Sequence, residues 1–598
     1  MNMPLACGVL LSTINPATMT GQTDFHDPVT VSRFPTREVR IGGLPLGGTH
    51  PVRIQSMTST DTRDVTGTLR QCIRLFEAGA DYVRISVPDK DSLVALKKIR
   101  KELRLAGFDQ ALIADIHFRP ELALLAAPWV EKVRINPGNY NPASRKVRLS
   151  DDEIRRELEE LKNRLAPLLK TCHEYGTAVR IGTNMGSLPP RIARQYGHTP
   201  EAMAEATLEF LRVFEELEFH QTVVSLKASH PQLMIRAYQL AAKRMWQEGM
   251  AYPMHLGVTE AGSGEEGRAR SAIGIAALLK MGLGDTIRVS LTEDPVAEVR
   301  FAGVLLENFR FTHTDSAPAW LEITGKKRQG RPPVALDGND WAMDQGPGGE
   351  NAWYGRDRPA GMVVTGRSGF QEGDRDHVVI LNKLPDVGYL KNICADPKLI
   401  PVADLDAGFK VKDFPELRTS LDELGFLGEL FVKTGMAPIS AETRSRKGSD
   451  ALIAWLAVRL GDLLMKGVVG GLWLEAGSGA AGKKAVASAR WLMQAAGFDQ
   501  GFTEFISCPT CARTSGDMAG LLQAIKTQIP SVAGLKIAVM GCVVNGPGEM
   551  ADANFGIMGT GKDHVAIYKG QTMVMKKVRA SGAVMALMHL LRESGWIK

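Results

Sequence analysis

Short apolar runs alternate with longer amphipathic segments from about residue 30 to residue 307, and this repeat is the main pattern of the chain. The runs have the length of β-strands, and the segments between them have the spacing of apolar residues that predicts helices. Eight such units in about 280 residues are typical of a (β/α)8 TIM barrel. The predicted strands are Val52–Met57, Tyr82–Ser86, Leu112–His117, Lys132–Asn136, Ala178–Gly182, Thr222–Leu226, Met254–Val258 and Thr286–Ser290.

Two further regions follow the predicted barrel, to which we assign residues 29–307. In residues 308–499, called the insert, strand-like runs alternate with helical segments and predict a second, smaller α/β domain. The insert starts with a Gly- and Pro-rich stretch, residues 325–376, that we expect to be partly mobile. Residues 500–598, called the C-terminal module, predict a small α+β domain that ends in a helix. Residues 1–28 lack these patterns, and we expect a flexible leader.

Composition and charge narrow the class of protein. Hydrophobic residues make up 44% of the chain and charged residues 23%, which is typical of soluble globular proteins. No apolar run reaches the length of a membrane span. The net charge of +6 is small for 598 residues and no long basic block occurs, which argues against nucleic-acid binding. Seven cysteines, odd in number and mostly scattered, argue against a disulfide framework and for a reducing, cytoplasmic compartment.

Three cysteines and a carboxylate in the C-terminal module have a pattern typical of a metal site. Cys508 and Cys511 are separated by two residues, so one tight turn directs both sulfurs to the same point. Cys542 follows an apolar run that predicts a buried strand. The Asn-Gly-Pro-Gly sequence after it predicts a turn that brings Glu549 back beside Cys542.

Three kinds of site fit part of this pattern. A structural zinc site requires a fourth thiolate or an imidazole, and the nearby His564 lies beyond a Gly-rich segment. A dithiol redox pair leaves Cys542 and Glu549 without a role. A catalytic iron–sulfur cluster uses all four donors, and a carboxylate ligand is weak enough to be displaced by a substrate. We favour the catalytic cluster, and the other two interpretations stay open at this point.

Polar side chains occur late in the predicted barrel strands or just after them, which is the end of a TIM barrel where active sites lie. Five of them are cations within apolar strands, where an unpaired buried charge is unfavourable. Five cations directed at one mouth indicate a pocket for a diphosphate or two phosphates, although each one alone also fits a structural ion pair. Asp115 and Glu260 are the candidate general acids or bases, with pairing to the arginines as the alternative. The polar residues of the predicted mouth are Arg84, Asp115, His117, Arg134, Asn136, Arg180, Asn184, Lys227, Glu260, Arg288 and Ser290.

These residues lie in motifs that resemble those of the 4-hydroxy-3-methylbut-2-enyl diphosphate synthases of the methylerythritol phosphate isoprenoid pathway. The resemblance covers most of the barrel and the C-terminal module but not residues 308–499, so the chain resembles a longer, three-domain form with an insert. The matching stretches are Gln55-Ser-Met-Thr, Ala114-Asp-Ile-His-Phe, Arg134-Ile-Asn-Pro-Gly-Asn, Arg180-Ile-Gly-Thr-Asn, Ser225-Leu-Lys-Ala-Ser, Gly257-Val-Thr-Glu-Ala-Gly, Ser507-Cys-Pro-Thr-Cys and Gly541-Cys-Val-Val-Asn-Gly-Pro-Gly-Glu.

The resemblance implies the reductive dehydration and ring opening of 2-C-methyl-D-erythritol 2,4-cyclodiphosphate to (E)-4-hydroxy-3-methylbut-2-enyl diphosphate. It implies a [4Fe–4S] cluster held by Cys508, Cys511, Cys542 and Glu549, with Glu549 giving way to substrate at an open iron. It also implies Glu260 as the acid/base residue and ferredoxin or flavodoxin as the electron donor. The resemblance implies that the diphosphate is held by Arg84, Arg134, Arg180, Asn184, Lys227, Arg288 and Ser290. From their place at the predicted mouth, we also expect Asp115 and His117 to bind substrate.

Two other classes of function stay open on the sequence. A non-redox (β/α)8 enzyme for a phosphate substrate, of the pteroate-synthase sort, explains the cationic mouth but not the three cysteines. A zinc-stabilised binding module explains the cysteines but not the mouth. The sequence also leaves open whether the chain forms a homodimer, and whether the C-terminal module closes on its own barrel or on a partner's.

Overall fold

The computed structural model describes residues 28–313 apart from 117–118 and 141–149, separate segments between 341 and 498, and residues 502–598 apart from short gaps at 510–513, 515, 543–545, 551–552 and 562. Within these residues the chain forms an eight-stranded parallel barrel, a five-stranded parallel sheet in the insert and a five-stranded mixed sheet in the C-terminal module. The predicted fold class, a TIM barrel with an inserted α/β domain and a C-terminal α+β domain, is confirmed.

Two strands that flank the barrel in sequence, β1 (Val29–Arg33) and β10 (Phe309–His313), pair with each other in parallel outside the barrel sheet, and the sequence pattern did not reveal them. The barrel sheet has the order β7-β6-β5-β4-β3-β2-β9-β8, and a bridge between Val224 and Met254 closes the ring. The barrel strands are β2 (Arg53–Met57), β3 (Tyr82–Ser86), β4 (Ala111–Asp115), β5 (Lys132–Ile135), β6 (Ala178–Asn184), β7 (Thr222–Lys227), β8 (His255–Leu256) and β9 (Thr286–Ile287). The surrounding helices are Val65–Glu77, Lys90–Leu105, Pro120–Ala126, Asp151–Tyr175, Pro190–Tyr196, Pro200–Glu216, Pro231–Gln247, Gly264–Lys280 and Pro295–Leu306.

The last two barrel strands are shorter than predicted. The backbones of the two strand ends approach closely, because a Cβ atom added to Gly257 would lie 2.5 Å from the carbonyl oxygen of Arg288. The regular ladder stops at Leu256 and Ile287, and the residues that follow belong to the barrel mouth.

A repeated Val-Arg-Ile sequence explains why cations stand inside an apolar barrel. The sequence occurs in β3, β5 and β6, and its valines and isoleucines are fully buried in the core between the barrel and its helices. Because side chains of a strand alternate between its two faces, the arginine between them points into the barrel. Below these arginines, Tyr82 packs with Ile113 and Val223 and closes the N-terminal end.

The insert packs against the outside of the barrel. Its sheet has the order β13-β17-β16-β15-β14, and its helices are Phe414–Glu423, Gly448–Met465 and Ala480–Ala495. Helix Gly448–Met465 packs on barrel helix Gly264–Lys280, where Lys280 and Asp462 form an ion pair of 2.5 Å. Residues 325–376, which we expected to be partly mobile, contain the strands β11 (Trp341–Gln345), β12 (Asn351–Gly355) and β13 (Val363–Val364). The strands that follow are β14 (His377–Leu381), β15 (Leu399–Asp404), β16 (Phe431–Gly435) and β17 (Gly471–Glu475).

The C-terminal module has a sheet of its own, in which the first three strands are parallel and the last two antiparallel. Its strands are β18 (Glu504–Ser507), β19 (Lys536–Met540), β20 (Phe555–Gly561), β21 (His564–Lys569) and β22 (Thr572–Arg579). Its helices are Met518–Gln528, Gly546–Glu549 and Ala583–Glu593, so the turn predicted before Glu549 is a single helical turn. None of the helices described in the chain is long and apolar enough to cross a membrane.

Candidate active site

The mouth of the barrel and the ends of β18 and β19 enclose a common cavity, with both sides supplied by the same chain. The barrel contributes Met57, Arg84, Asp115, Arg134, Arg180, Asn184, Ser225, Lys227, Thr259, Glu260, Arg288 and Ser290, and the module contributes Cys508, Pro509, Thr514, Met540, Cys542 and Gly546. Apart from Asn136, these residues include each of the predicted site residues whose side chain the structure describes. His117, Cys511 and the side chain of Glu549 lie outside the described residues.

The five cations predicted at the mouth all line the cavity and are at most 8% exposed. Arg134 donates to Asp115 over 3.3 Å and to the carbonyl oxygen of Gly182 over 2.7 Å. Arg180, which is 1% exposed, has no hydrogen-bond partner for Nε and Nη1 among the described residues. Buried guanidinium groups need acceptors, so the cavity is suited to a multiply charged anion.

The positive charges of this cation cluster lower the pKa values of its own members. Burial lowers the pKa of Lys227 well below the usual value for lysine, and neighbouring Arg180 and Arg84 lower it further. The pKa of Arg180 is lowered in the same way, by burial and then by Arg84 and Arg134. An anion bound between these groups would relieve their mutual repulsion.

Glu260 lines the cavity in an unusual backbone conformation. It is 5% exposed, and its φ of 52° lies in the left-handed region that residues other than glycine rarely occupy. Such strain is frequent at functional sites. The next residue, Ala261, forms a parallel bridge with Ser507, which directly precedes Cys508.

The two described thiols of the predicted metal site follow neighbouring parallel strands. Cys508 comes directly after β18, and Cys542 comes two residues after β19. The two strands are paired near these ends, where Ser507 is the register partner of Val539. The backbone amide of Gly541 donates to Cys508 Sγ over 3.0 Å. An amide donor to sulfur suits a thiolate that holds an iron–sulfur cluster. The described donors therefore fit such a group.

Sequence reasoning missed two residues that fix the cations. Met57 Sδ accepts hydrogen bonds from Arg84 Nη2 over 2.9 Å and from Arg84 Nε over 3.2 Å. Glu298, on the helix after the last barrel strand, accepts from Arg288 Nε and Nη2 over 3.3 Å each. A lone carboxylate in the first turn of a mostly apolar helix was the available signal for Glu298. Asn136, by contrast, donates to Ser187 Oγ over 2.9 Å and caps a short turn instead of lining the cavity.

Comparison with known proteins places the whole chain in one family. Residues 36–303 match the GcpE TIM-barrel domain, and residues 504–593 match the GcpE protein C-terminal domain. A relative from Phocaeicola vulgatus is 35% identical over 95% of this chain and 99% of its own length. A relative from Akkermansia muciniphila is 36% identical over 95% of this chain and 98% of its own length. Both are named 4-hydroxy-3-methylbut-2-en-1-yl diphosphate synthase (flavodoxin). The chain therefore belongs to the GcpE family, the family of these synthases.

Proposed function

We propose that this chain converts 2-C-methyl-D-erythritol 2,4-cyclodiphosphate into (E)-4-hydroxy-3-methylbut-2-enyl diphosphate. In this reaction a ring C–O bond breaks, two electrons and a proton enter, and water leaves. The relatives named above carry the name of this activity. The observation that carries the proposal is the common cavity, where buried cations face two cysteines across one space. A non-redox phosphate enzyme is not favoured, because it gives the cysteine side of the cavity no role.

We propose that the cations bind the diphosphate and fix its orientation. The paired N–H groups of Arg84, Arg134 and Arg180 match phosphate oxygens, and Arg180 has donors available within the cavity. Asp115 accepts a hydrogen bond from Arg134 and fixes the position of its guanidinium group. Asn184 and Ser290 also line the cavity and offer uncharged donors. The C-terminal module covers the mouth, which excludes water and strengthens these contacts.

A [4Fe–4S] cluster held by Cys508, Cys511, Cys542 and Glu549 would supply electrons to the bound substrate. The thiols Cys508 and Cys542 support this assignment because they lie at the cavity and because one sulfur accepts a backbone amide. We propose that Glu260, which lines the same cavity, delivers the proton that the departing oxygen needs to leave as water.

An acidic electron carrier, such as the flavodoxin in the relatives' names, fits the outer edge of the module. Residues 555–598 hold seven Lys and Arg against two Asp and Glu, a net charge of +5 out of +6 for the chain. The edge strand β22 exposes Lys576, Lys577 and Arg579 beside Met573, which is 44% exposed. Three strand spacings separate β22 from β19, which is about 14 Å. Basic and apolar surface this close to Cys542 is suited to a negatively charged redox protein.

The test is turnover by the full-length chain purified without oxygen. We expect iron and sulfide in the protein, a visible absorption band that dithionite bleaches, and dithionite-driven conversion of the cyclodiphosphate. Protein that is loaded with iron and sulfide but leaves the cyclodiphosphate unchanged would contradict the proposed reaction.

A further inference from the structure

The loop that carries Glu260 is joined to the strand that leads to Cys508. Ala261 pairs with Ser507 across the boundary between the barrel and the C-terminal module. Thr292 joins the same two segments, since its amide donates to Gly262 O over 2.9 Å and its hydroxyl lies 2.7 Å from Ser507 Oγ. The hydroxyl also donates to Cys508 O over 3.1 Å.

Arg270 spans this junction from the barrel side. It lies on helix Gly264–Lys280 and is 3% exposed. Its Nη1 donates to Ala261 O over 2.9 Å and to Phe505 O over 2.8 Å, so one nitrogen binds both segments. Its Nη2 donates to Glu504 Oε1 over 3.1 Å and to Glu266 Oε1 over 3.4 Å.

The carboxylate of Glu266 completes the link. Its Oε1 accepts the amide of Phe505 over 3.0 Å, and its Oε2 pairs with Lys526 of the module over 2.9 Å. Glu266 and Arg270 are both buried, so their directional contacts are strengthened by the low local dielectric, whereas Glu504 and Lys526 are partly exposed. We call Arg270, Glu266, Glu504 and Lys526 the clasp.

We propose that Arg270 is a positioning residue that couples the conformation of Glu260 to the docking of the C-terminal module. The left-handed backbone of Glu260 is unfavourable by itself. The next residue, Ala261, is held by the bridge to Ser507 of the module and by Arg270, which itself binds Phe505 and Glu504 of the module. When the module leaves, Ala261 loses its bridge and Arg270 loses Phe505 and Glu504. Glu260 therefore reaches its place at the cavity only when the thiol side covers the substrate. The importance of this for catalysis rests on the proposed function of Glu260.

The experiment compares Arg270→Gln and Arg270→Lys with Lys280→Gln in the full-length, cluster-loaded protein. Lys280 is a matched control because it lies on the same helix and pairs with Asp462 of the insert. Hydrogen exchange is measured for peptides covering residues 258–262 and 504–508, together with iron content, kcat and KM. We expect Arg270→Gln to raise exchange in both peptides about tenfold and to lower kcat about tenfold, with iron unchanged. Arg270→Lys should restore little, since an ammonium cannot bind two carbonyls and two carboxylates in one plane.

Faster exchange in residues 504–508 alone would overturn the proposal, because the Glu260 loop would then be fixed by the barrel. Full recovery in Arg270→Lys would also overturn it, since charge alone would suffice. The exchange result stands even if the chain fails to turn over the cyclodiphosphate, so the two proposals fail separately. Should Arg270→Gln not fold, Thr292→Val removes the hydroxyl contacts to Ser507 and Cys508 with little change in shape. We expect it to raise exchange in both peptides as well, and unchanged exchange in either peptide would overturn the coupling.

Discussion

On the barrel side of the cavity, most of the charged side chains belong to residues within the β-strands. On the module side, the two described thiols belong to residues that come after the ends of their strands. Arg134 and Arg180 are register partners in neighbouring strands, each with a strand on both sides, and are at most 3% exposed. Cys508 and Cys542 lie beyond the ends of β18 and β19 and are partly exposed. The polypeptide therefore organises the barrel side before any ligand binds, while the module side is suited to being completed by a bound group.

The boundary between the barrel and the insert also differs from the boundary between the barrel and the C-terminal module. The barrel and the insert share one continuous hydrophobic core, whereas the module has two clusters of its own. The contacts between barrel and module described above are polar or charged. Boundaries of this kind favour relative motion, so we infer that the insert stays with the barrel and that the module moves.

The largest effect that we predict follows from removing a thiol on the module side of the cavity. Cys542→Ser replaces a soft thiolate with a hard, weakly binding hydroxyl, so the protein should lose its iron and turnover should fall to background. Cys172→Ala is the control, because Cys172 is a fully buried cysteine among the barrel helices. Iron and sulfide per chain, measured beside turnover without oxygen, decide the matter. Equal iron loss in both variants would remove Cys542 from the ligand set.

On the barrel side, loss of one cation should weaken the site without dismantling it. Arg134→Gln removes a charge-assisted contact to phosphate worth about 1.5–3 kcal/mol, so kcat/KM should fall about tenfold to a hundredfold. Iron content should stay at the value of the unchanged protein. Arg310→Gln, which changes an exposed arginine on β10, is the control. A kcat/KM equal to that of the control would place Arg134 outside the substrate contacts.

A smaller change can displace the same arginine and keep its charge. A Cβ atom at Gly182 would lie 2.2 Å from Arg134 Nε, so Gly182→Ala should move the guanidinium and lower kcat/KM by about tenfold. Gly303→Ala adds the same methyl group where no atom lies within 4 Å, and should leave kcat/KM unchanged. If both alanine variants behave alike, the position of Arg134 matters less than its charge.

The sequence predicted the parts of this site whose signals are local. Periodicity gave the barrel, and cations within apolar strands gave its mouth, because alternation alone decides which face a strand residue occupies. The contacts of Arg270 were missed because its partners Phe505 and Glu504 are more than 230 residues away. Asn136 was predicted at the mouth but caps a short turn, because an asparagine after a strand can serve either role. The roles of Glu260 and Glu549 stay predictions.

A charge reversal on the outer edge of the C-terminal module should affect only the reaction with the protein electron donor. Lys576→Glu reverses a charge on the exposed strand β22, so the KM for flavodoxin should rise several-fold and the effect should weaken with added salt. Turnover driven by dithionite should not change. Lys101→Glu on barrel helix Lys90–Leu105 is the matched control, since that lysine is also exposed. A loss of dithionite-driven turnover would show that Lys576 supports the module itself and not the donor.

The smallest effect concerns the stability of the barrel interior. His255 is fully buried, and its pKa is lowered well below 6.5, first by burial and then by Lys227, Arg180, Lys132 and Arg84. The folded barrel therefore keeps this imidazole neutral, while the unfolded chain takes up a proton below about pH 6.5. Stability is then lost as the pH falls below that value, by about 1.4 kcal/mol per pH unit for this one group.

His255→Gln should make the slope of unfolding free energy against pH shallower by about this amount between about pH 5 and 6.5. The measurement is urea unfolding at several pH values, followed by hydrogen exchange of peptides from the barrel strands, which reports on the barrel separately from the other domains. His589→Gln, at an exposed position on helix Ala583–Glu593, is the control and should keep the slope of the unchanged protein. Identical slopes in His255→Gln and the unchanged protein would mean that His255 already carries a proton inside the folded barrel.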